Sequence, residues 1–143
     1  MSAARRLIAI AFVLVAVRTV IAQEATIGVA EAKSLVGIVL RHQGFPSSSQ
    51  YCQVEIVDEG GKPFAPGYYA FGASCDFPNT ATTSPWGTYL VSPRTGEVLN
   101  FDMCKWFGYS DLRRLQKQIM LRTHATDASE RQYREATGCA KTK

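Results

Sequence analysis

The chain lacks close cysteine pairs and has only two histidines, His42 and His124, among its 143 residues. Zinc centres and dithiol redox sites are built on closely spaced cysteines, so neither fits. There is no G-x-x-x-x-G-K-[ST] loop, no H-E-x-x-H helix and no G-x-S-x-G elbow. Carboxylates such as Asp76, Glu97 and Asp102 show no spacing that marks an acid–base pair. No internal repeat is visible. These absences leave no catalytic residue, cofactor site or metal ligand to assign, and the chain reads as a non-enzyme.

Long apolar runs are also scarce, with one exception at the start. Arg5 and Arg6 precede an unbroken apolar stretch from Leu7 to Val17, and Val20-Ile21-Ala22 supplies a cleavage-site pattern. This is the plan of a secretory signal peptide over residues 1–22, cut after Ala22. The run is shorter than the roughly 20 apolar residues that span a bilayer, and Arg18 blocks its extension. The residue directly after the cut is Gln23 and not a cysteine, which argues against a lipid anchor. The expectation is an exported protein, periplasmic or secreted, with no transmembrane segment once the leader is removed.

Cleavage also changes the charge. The whole chain has 16 basic and 12 acidic residues, a net of +4. Arg5, Arg6 and Arg18 leave with the leader, so 13 basic groups face 12 acidic ones. Nucleic-acid binding needs a concentrated basic surface and is not expected. The remaining charge is uneven. Residues 23–102 carry four basic and eight acidic groups, whereas residues 103–143 carry nine and four.

All four cysteines, Cys52, Cys75, Cys104 and Cys139, lie after the leader. An even count in a small exported chain reads as two disulfides. Four cysteines allow three connectivities. Tyr51 to Asp58 alternates, with Cys52, Val54 and Ile56 on one side. A second strand runs from Gly67 to Cys75, with Tyr69, Phe71, Ala73 and Cys75 on one side. Pairing these as a hairpin across the Glu59–Pro63 turn brings Cys52 close to Cys75, which favours Cys52–Cys75 with Cys104–Cys139.

The other elements follow from periodicity and punctuation. Thr26 to Gln43 predicts a helix with Ala30, Ala32, Leu35, Val36, Val39 and Leu40 inward. Gly44 stands just past its end, and Gly37 suits close packing on a sheet. Residues 76–85 read as a loop. Gly87–Ser92 and Glu97–Phe101 form a hairpin closed by Pro93-Arg94-Thr95-Gly96. Ser110 would cap a helix to about Arg122 that turns Leu112, Leu115, Ile119 and Leu121 inward. Asp127 and Glu130 resemble a capping box for a last helix, with Glu130–Arg134 and Arg131–Glu135 as i,i+4 pairs. The fold class expected is α+β: an N-terminal helix on a four-stranded antiparallel sheet, then a C-terminal helix or helical pair, with two disulfides. Residues 23–143 form a single domain, its core at 26–101 and a helical extension at 104–143.

The segment Gly87-Thr-Tyr-Leu-Val-Ser-Pro-Arg-Thr-Gly-Glu-Val-Leu resembles the closing hairpin of PepSY-like domains, with Thr95, Gly96, Glu97 and Val98 on the family pattern. Ser92 stands where that family often has Asp. The helix between the two hairpins of the family is replaced here by the 76–85 loop. The resemblance implies a binding module, since PepSY-like domains occur in peptidase propeptides and exported bacterial proteins and are thought to restrain peptidases. A cystatin-like or nuclear-transport-factor-like sheet is the competing fold.

The expected function is therefore a small exported binding protein: an inhibitor, regulator or immunity-type partner of an envelope or secreted hydrolase or peptidase. Candidate partner contacts are Trp86, Trp106, Tyr109, Arg113, Arg114 and Lys117, because aromatic and arginine side chains commonly anchor interfaces. Two alternatives remain open. One is an envelope-associated structural protein that docks through its basic C-terminal helix. The other is a small secreted hydrolase that uses His42 or His124.

Overall fold

A computed structural model describes residues 25–57, 62–80 and 82–139. The leader expected over residues 1–22 and most of the turn at 59–63 lie outside the described residues. The elements are α1 (Val29–His42), β1 (Cys52–Ile56), β2 (Tyr69–Cys75), β3 (Ser84–Val91), β4 (Val98–Asn100), β5 (Lys105–Trp106), α2 (Ser110–Thr123) and α3 (Asp127–Ala136). The strands form one antiparallel sheet in the order β1-β2-β3-β4-β5. The fold is α+β, and the sheet has a fifth strand beyond the four expected. β5 is two residues long, too short for any alternation to show in sequence.

Alternation decides the two faces of the sheet. Phe71, Ala73, Cys75, Tyr89 and Val91 point to the side where α1 lies and pack on Leu35, Val36, Ile38 and Val39. Leu112 and Ile119 of α2 close the same core. Ala70, Leu90 and Leu99 point the other way, into a smaller cluster with Ala65, Tyr68 and Cys139. The sheet is thus buried on both sides over β3 and β4. Two inward assignments are corrected: Ala30 faces solvent and Leu121 is 77% exposed. Each marks the edge of its helix stripe, where 3.6-residue periodicity is least decisive. Gly37 meets only Arg41 of its own helix and not the sheet.

Both disulfides join the expected pairs, Cys52–Cys75 and Cys104–Cys139. The first lies between directly opposed residues of β1 and β2. The second ties the turn before β5 to the residues after α3. With sequence separations of 23 and 35, each contributes about 3–4 kcal/mol on the chain-entropy account.

The β3–β4 turn organises the C-terminal half. Ser92 Oγ accepts from the backbone N–H groups of Arg94 and Thr95, and Gly96 N–H donates to Ser92 O. Gly96 has φ +70°, and a Cβ there would stand 2.6 Å from Ile119 Cδ1. The turn therefore needs glycine both for its backbone and for the close approach of α2. Arg94 points inward with Glu130 as partner, and their side chains are 8% and 0% exposed. Arg94 Nε donates to Glu130 Oε2 at 2.8 Å and Nη2 to Oε1 at 3.1 Å. Tyr68 OH donates to Oε1 at 3.1 Å. The Arg94 guanidinium also lies 3.4 Å from the centre of the Tyr133 ring. Burial pushes the Tyr68 hydroxyl pKa well up, and the Glu130 carboxylate adds to this, so Tyr68 stays a donor.

A second pair lies beside it. Arg134 Nε and Nη2 donate to both Glu97 oxygens, and Nη2 also reaches Asp127. Burial works against the Arg134 charge, but Glu97 and then Asp127 outweigh it and hold the proton firmly. The i,i+4 pair expected between Glu130 and Arg134 is corrected: each turns instead to the β3–β4 turn. Long-range partners win because they also satisfy charges that the fold buries. The capping box is displaced by one residue, with Thr126 and Ser129 exchanging bonds at the start of α3. Tyr109, and not Ser110, occupies the cap position of α2, with no side-chain cap bond.

Removing one member of a buried charge pair strands the other. Glu130→Ala is expected to lower the unfolding free energy by about 3–5 kcal/mol in urea denaturation, whereas Arg94→Met with Glu130→Leu loses far less. Equal losses in the two variants would refute this account of the pair.

Candidate functional site

Among the described residues, two concavities stand out on the surface. The first, of about 670 Å³, lies where β5 leads into α2 and is lined by Met103, Cys104, Lys105, Trp106, Phe107 and Arg113, among others. The second, of about 530 Å³, lies on the sheet face away from α1, among Gln53, Glu55, Ser74, Thr88 and Asp102. Asp102 is held there by the backbone N–H of Thr88 at 2.7 Å.

The candidate contacts divide between interior and surface. Trp86, just past the stretch expected as a loop, lies inside β3, which already begins at Ser84. The β2–β3 register steps from Ala73↔Gly87 to Ser74↔Pro85, so Trp86 is the extra residue of a bulge. Its ring meets Phe45 edge-on at 5.2 Å and packs against the α1-side core. Tyr109 is half-buried and stacks on His42, with centroids 4.0 Å apart. Trp106 is half-buried in the smaller core cluster and lines the first cleft. Arg113 lines the same cleft, and its Nε donates to Gly108 O. Arg114 and Lys117 are exposed on α2. Trp106 and Arg113 therefore share a site, joined by Lys105 and Met103. Composition could not single out those two residues, since a lone lysine and a lone methionine are common on any surface.

The structure does not bring the two histidines together. His42 Nε2 lies 3.1 Å from both oxygens of Asp111, at the start of α2. His124 lies at the far end of that helix, about 20 Å along at 1.5 Å per residue. His42 and Asp111 join the end of α1 to the start of α2. Among the described residues, no group of three or more His, Cys, Asp and Glu is placed to hold a metal ion.

Comparison with known proteins gives the family. A family model described as T6SS, Immunity protein Tgi2PP, matches residues 26–130. The chain belongs to this immunity-protein family. Among the curated proteins nothing matches. One matching solved structure is titled as a type VI secretion system effector-immunity complex from Pseudomonas protegens. It has a TM-score of 0.76 and 30% identity, over 83% of this chain and 94% of that chain. The PepSY-like assignment is thereby corrected. Its motif, Thr95-Gly96-Glu97-Val98, describes a tight antiparallel turn that many sheets share. In this immunity protein the same residues seat the C-terminal helices, with Gly96 under Ile119 and Glu97 on Arg134.

The joint between α1 and α2 carries a pH dependence. The hydrogen bond with His42 is the largest cause holding the Asp111 carboxyl below its ordinary 3.8; slight burial opposes it, and the Leu112 N–H adds to it. A depressed folded value means that the contribution is complete above 3.8 and is lost as pH falls through the lower folded value. Asp111→Asn is expected to lower the thermal midpoint at neutral pH and to converge with the wild type in acid. A gap that stays constant across the titration would contradict this.

Proposed function

We propose that this chain is an exported immunity protein that binds and neutralises a cognate type VI effector in the cell envelope, and that the effector is a hydrolase. The observation that carries the reading is membership of the immunity family, together with a 30%-identical neighbour solved as an effector-immunity complex. The two disulfides support an oxidising compartment, since such bonds form outside the cytosol. The leader pattern over residues 1–22 agrees with that. Among the described residues, no helix is long and apolar enough to cross a membrane. An effector met in the envelope faces wall polymers and lipids, and both are broken by hydrolysis. The immunity protein would act by binding, with Trp106 and Arg113 as contacts and Arg114 and Lys117 as flanking charges. Trp86 and Tyr109 would serve the partner indirectly, through the core that shapes its surface.

The test is protection. The effector encoded beside this gene is directed to the periplasm of a sensitive strain, with or without the immunity chain. Full-length chain is expected to restore plating to the level without effector and to form a stable complex on size-exclusion chromatography. A chain that lacks residues 1–22 is expected to give no protection. Failure of the full-length chain to protect or bind would end the reading. Protection by the leaderless chain would end its envelope part.

A further inference from the structure

The cleft between β5 and α2 has the chemistry of a carboxylate-binding surface. Its two charged lining groups, Lys105 and Arg113, are both cations, and among the described residues neither forms an ion pair. Arg113 is held in place: its Nε is committed to Gly108 O, and the planar group lies against Gly108, where a Cβ would come within 3.4 Å of Nε and Nη2. That bond uses one of the five guanidinium donors and leaves the others for an acceptor. Lys105 extends over the Phe107 ring, with Nζ 5.5 Å from its centre. Beside these cations the lining mixes apolar groups, with Met103 61% exposed and Trp106 half-buried, and the polar Gln116. A fixed cation with spare donors, a second cation and an exposed apolar rim form a binding surface of one charge sign. Of the four acids in residues 103–143, Glu130 is enclosed with Arg94, Asp127 serves Arg134, Asp111 serves His42, and Glu135 is exposed on α3 outside the cleft lining.

We propose that this cleft is where the chain takes hold of its effector, and that the effector element entering it carries carboxylates beside an apolar side chain. This rests on the immunity reading above and adds the surface and the chemistry of its occupant. The disulfide at the rim suits that role. Cys104, which lines the cleft, is bonded to Cys139, so the rim is tied to the end of α3 and stays shaped before binding. Preorganisation of this kind lowers the ordering cost of association.

The test measures affinity for the purified effector encoded beside the gene, by calorimetry, with full-length chain matured in the periplasm. Lys105→Glu with Arg113→Glu is expected to weaken binding by at least about 100-fold, as reversal at close charge pairs does. Met103→Asp is expected to weaken it as well. Glu55→Lys, in the groove on the far sheet face, should leave affinity within about twofold, as expected for a charge outside the contact. Thermal midpoints establish that each variant is folded. If the double reversal misfolds, Lys105→Gln alone, together with a fall in wild-type affinity between low and high salt, decides instead. Unchanged affinity in the Lys105 and Arg113 variants would overturn the cleft while leaving the immunity reading intact. Loss of binding in Glu55→Lys alone would move the interface to the sheet groove and likewise overturn it. A wild-type chain that fails to bind would instead count against the immunity reading.

Discussion

The C-terminal half of this protein depends on one buried ion pair, Arg94 with Glu130. Two charges removed from water persist only when each is fully bonded, and here the surroundings provide that. Tyr68 gives Glu130 a third hydrogen bond, and Tyr133 covers the guanidinium. Thr123 at the end of α2 donates to Arg94 O at 2.6 Å, and Ile27, ahead of α1, donates from its N–H to Pro93 O at 2.8 Å. A single β-turn thus receives the approach to α1, the end of α2 and the body of α3. Such a centre does little for net stability relative to apolar packing, but it permits one placement of α3 and penalises others.

That placement bears on function. Apart from Tyr133, α3 contributes little apolar surface, and it is held by charge and by the Cys104–Cys139 bond just past its end. Cys104 belongs to the rim of the cleft, so the disulfide that helps to seat α3 also holds the cleft wall. The sheet contributes Lys105 and Trp106 to the lining through β5, which is paired to β4 at Leu99↔Trp106 and Asn100↔Lys105. A binding surface set on paired backbone and a covalent bond keeps its shape when the partner is absent.

Much of the fold was legible along the chain because its signals are local. Alternation in Cys52–Ile56 and Tyr69–Cys75 gave two strands and, through their opposed cysteines, the first disulfide. The second pairing then followed. The Pro-Arg-Thr-Gly turn and the apolar stripe of α1 were equally plain. What escaped was short or long-range. β5 has two residues and no period. The Trp86 bulge depends on how β2 and β3 twist together. Glu130 looks like any solvent-facing helix glutamate until Arg94, 36 positions earlier, is placed beside it. An immunity-type role was among the expectations and is borne out, but the type VI family itself was not legible, because a binding protein carries no catalytic signature that would mark it. The PepSY-like reading failed for a related reason: a turn motif reports backbone geometry, and unrelated sheets use the same geometry.

Sequence alone determined the compartment expected for the chain, the disulfide framework, the α+β class and the absence of enzyme signatures. These properties rest on residue types and on spacings within one or two elements. Tertiary structure alone decided which charges are internal and which are offered outward. Arg94, Arg134, Glu97 and Glu130 count the same in a composition as Lys105 and Arg113 do. Folding encloses the first group in mutual hydrogen bonds and, among the described residues, leaves the second pair on an open cleft with no ion-pair partner. The physical reason is that charge acts through its surroundings, and those surroundings come from segments that meet only when the chain is folded.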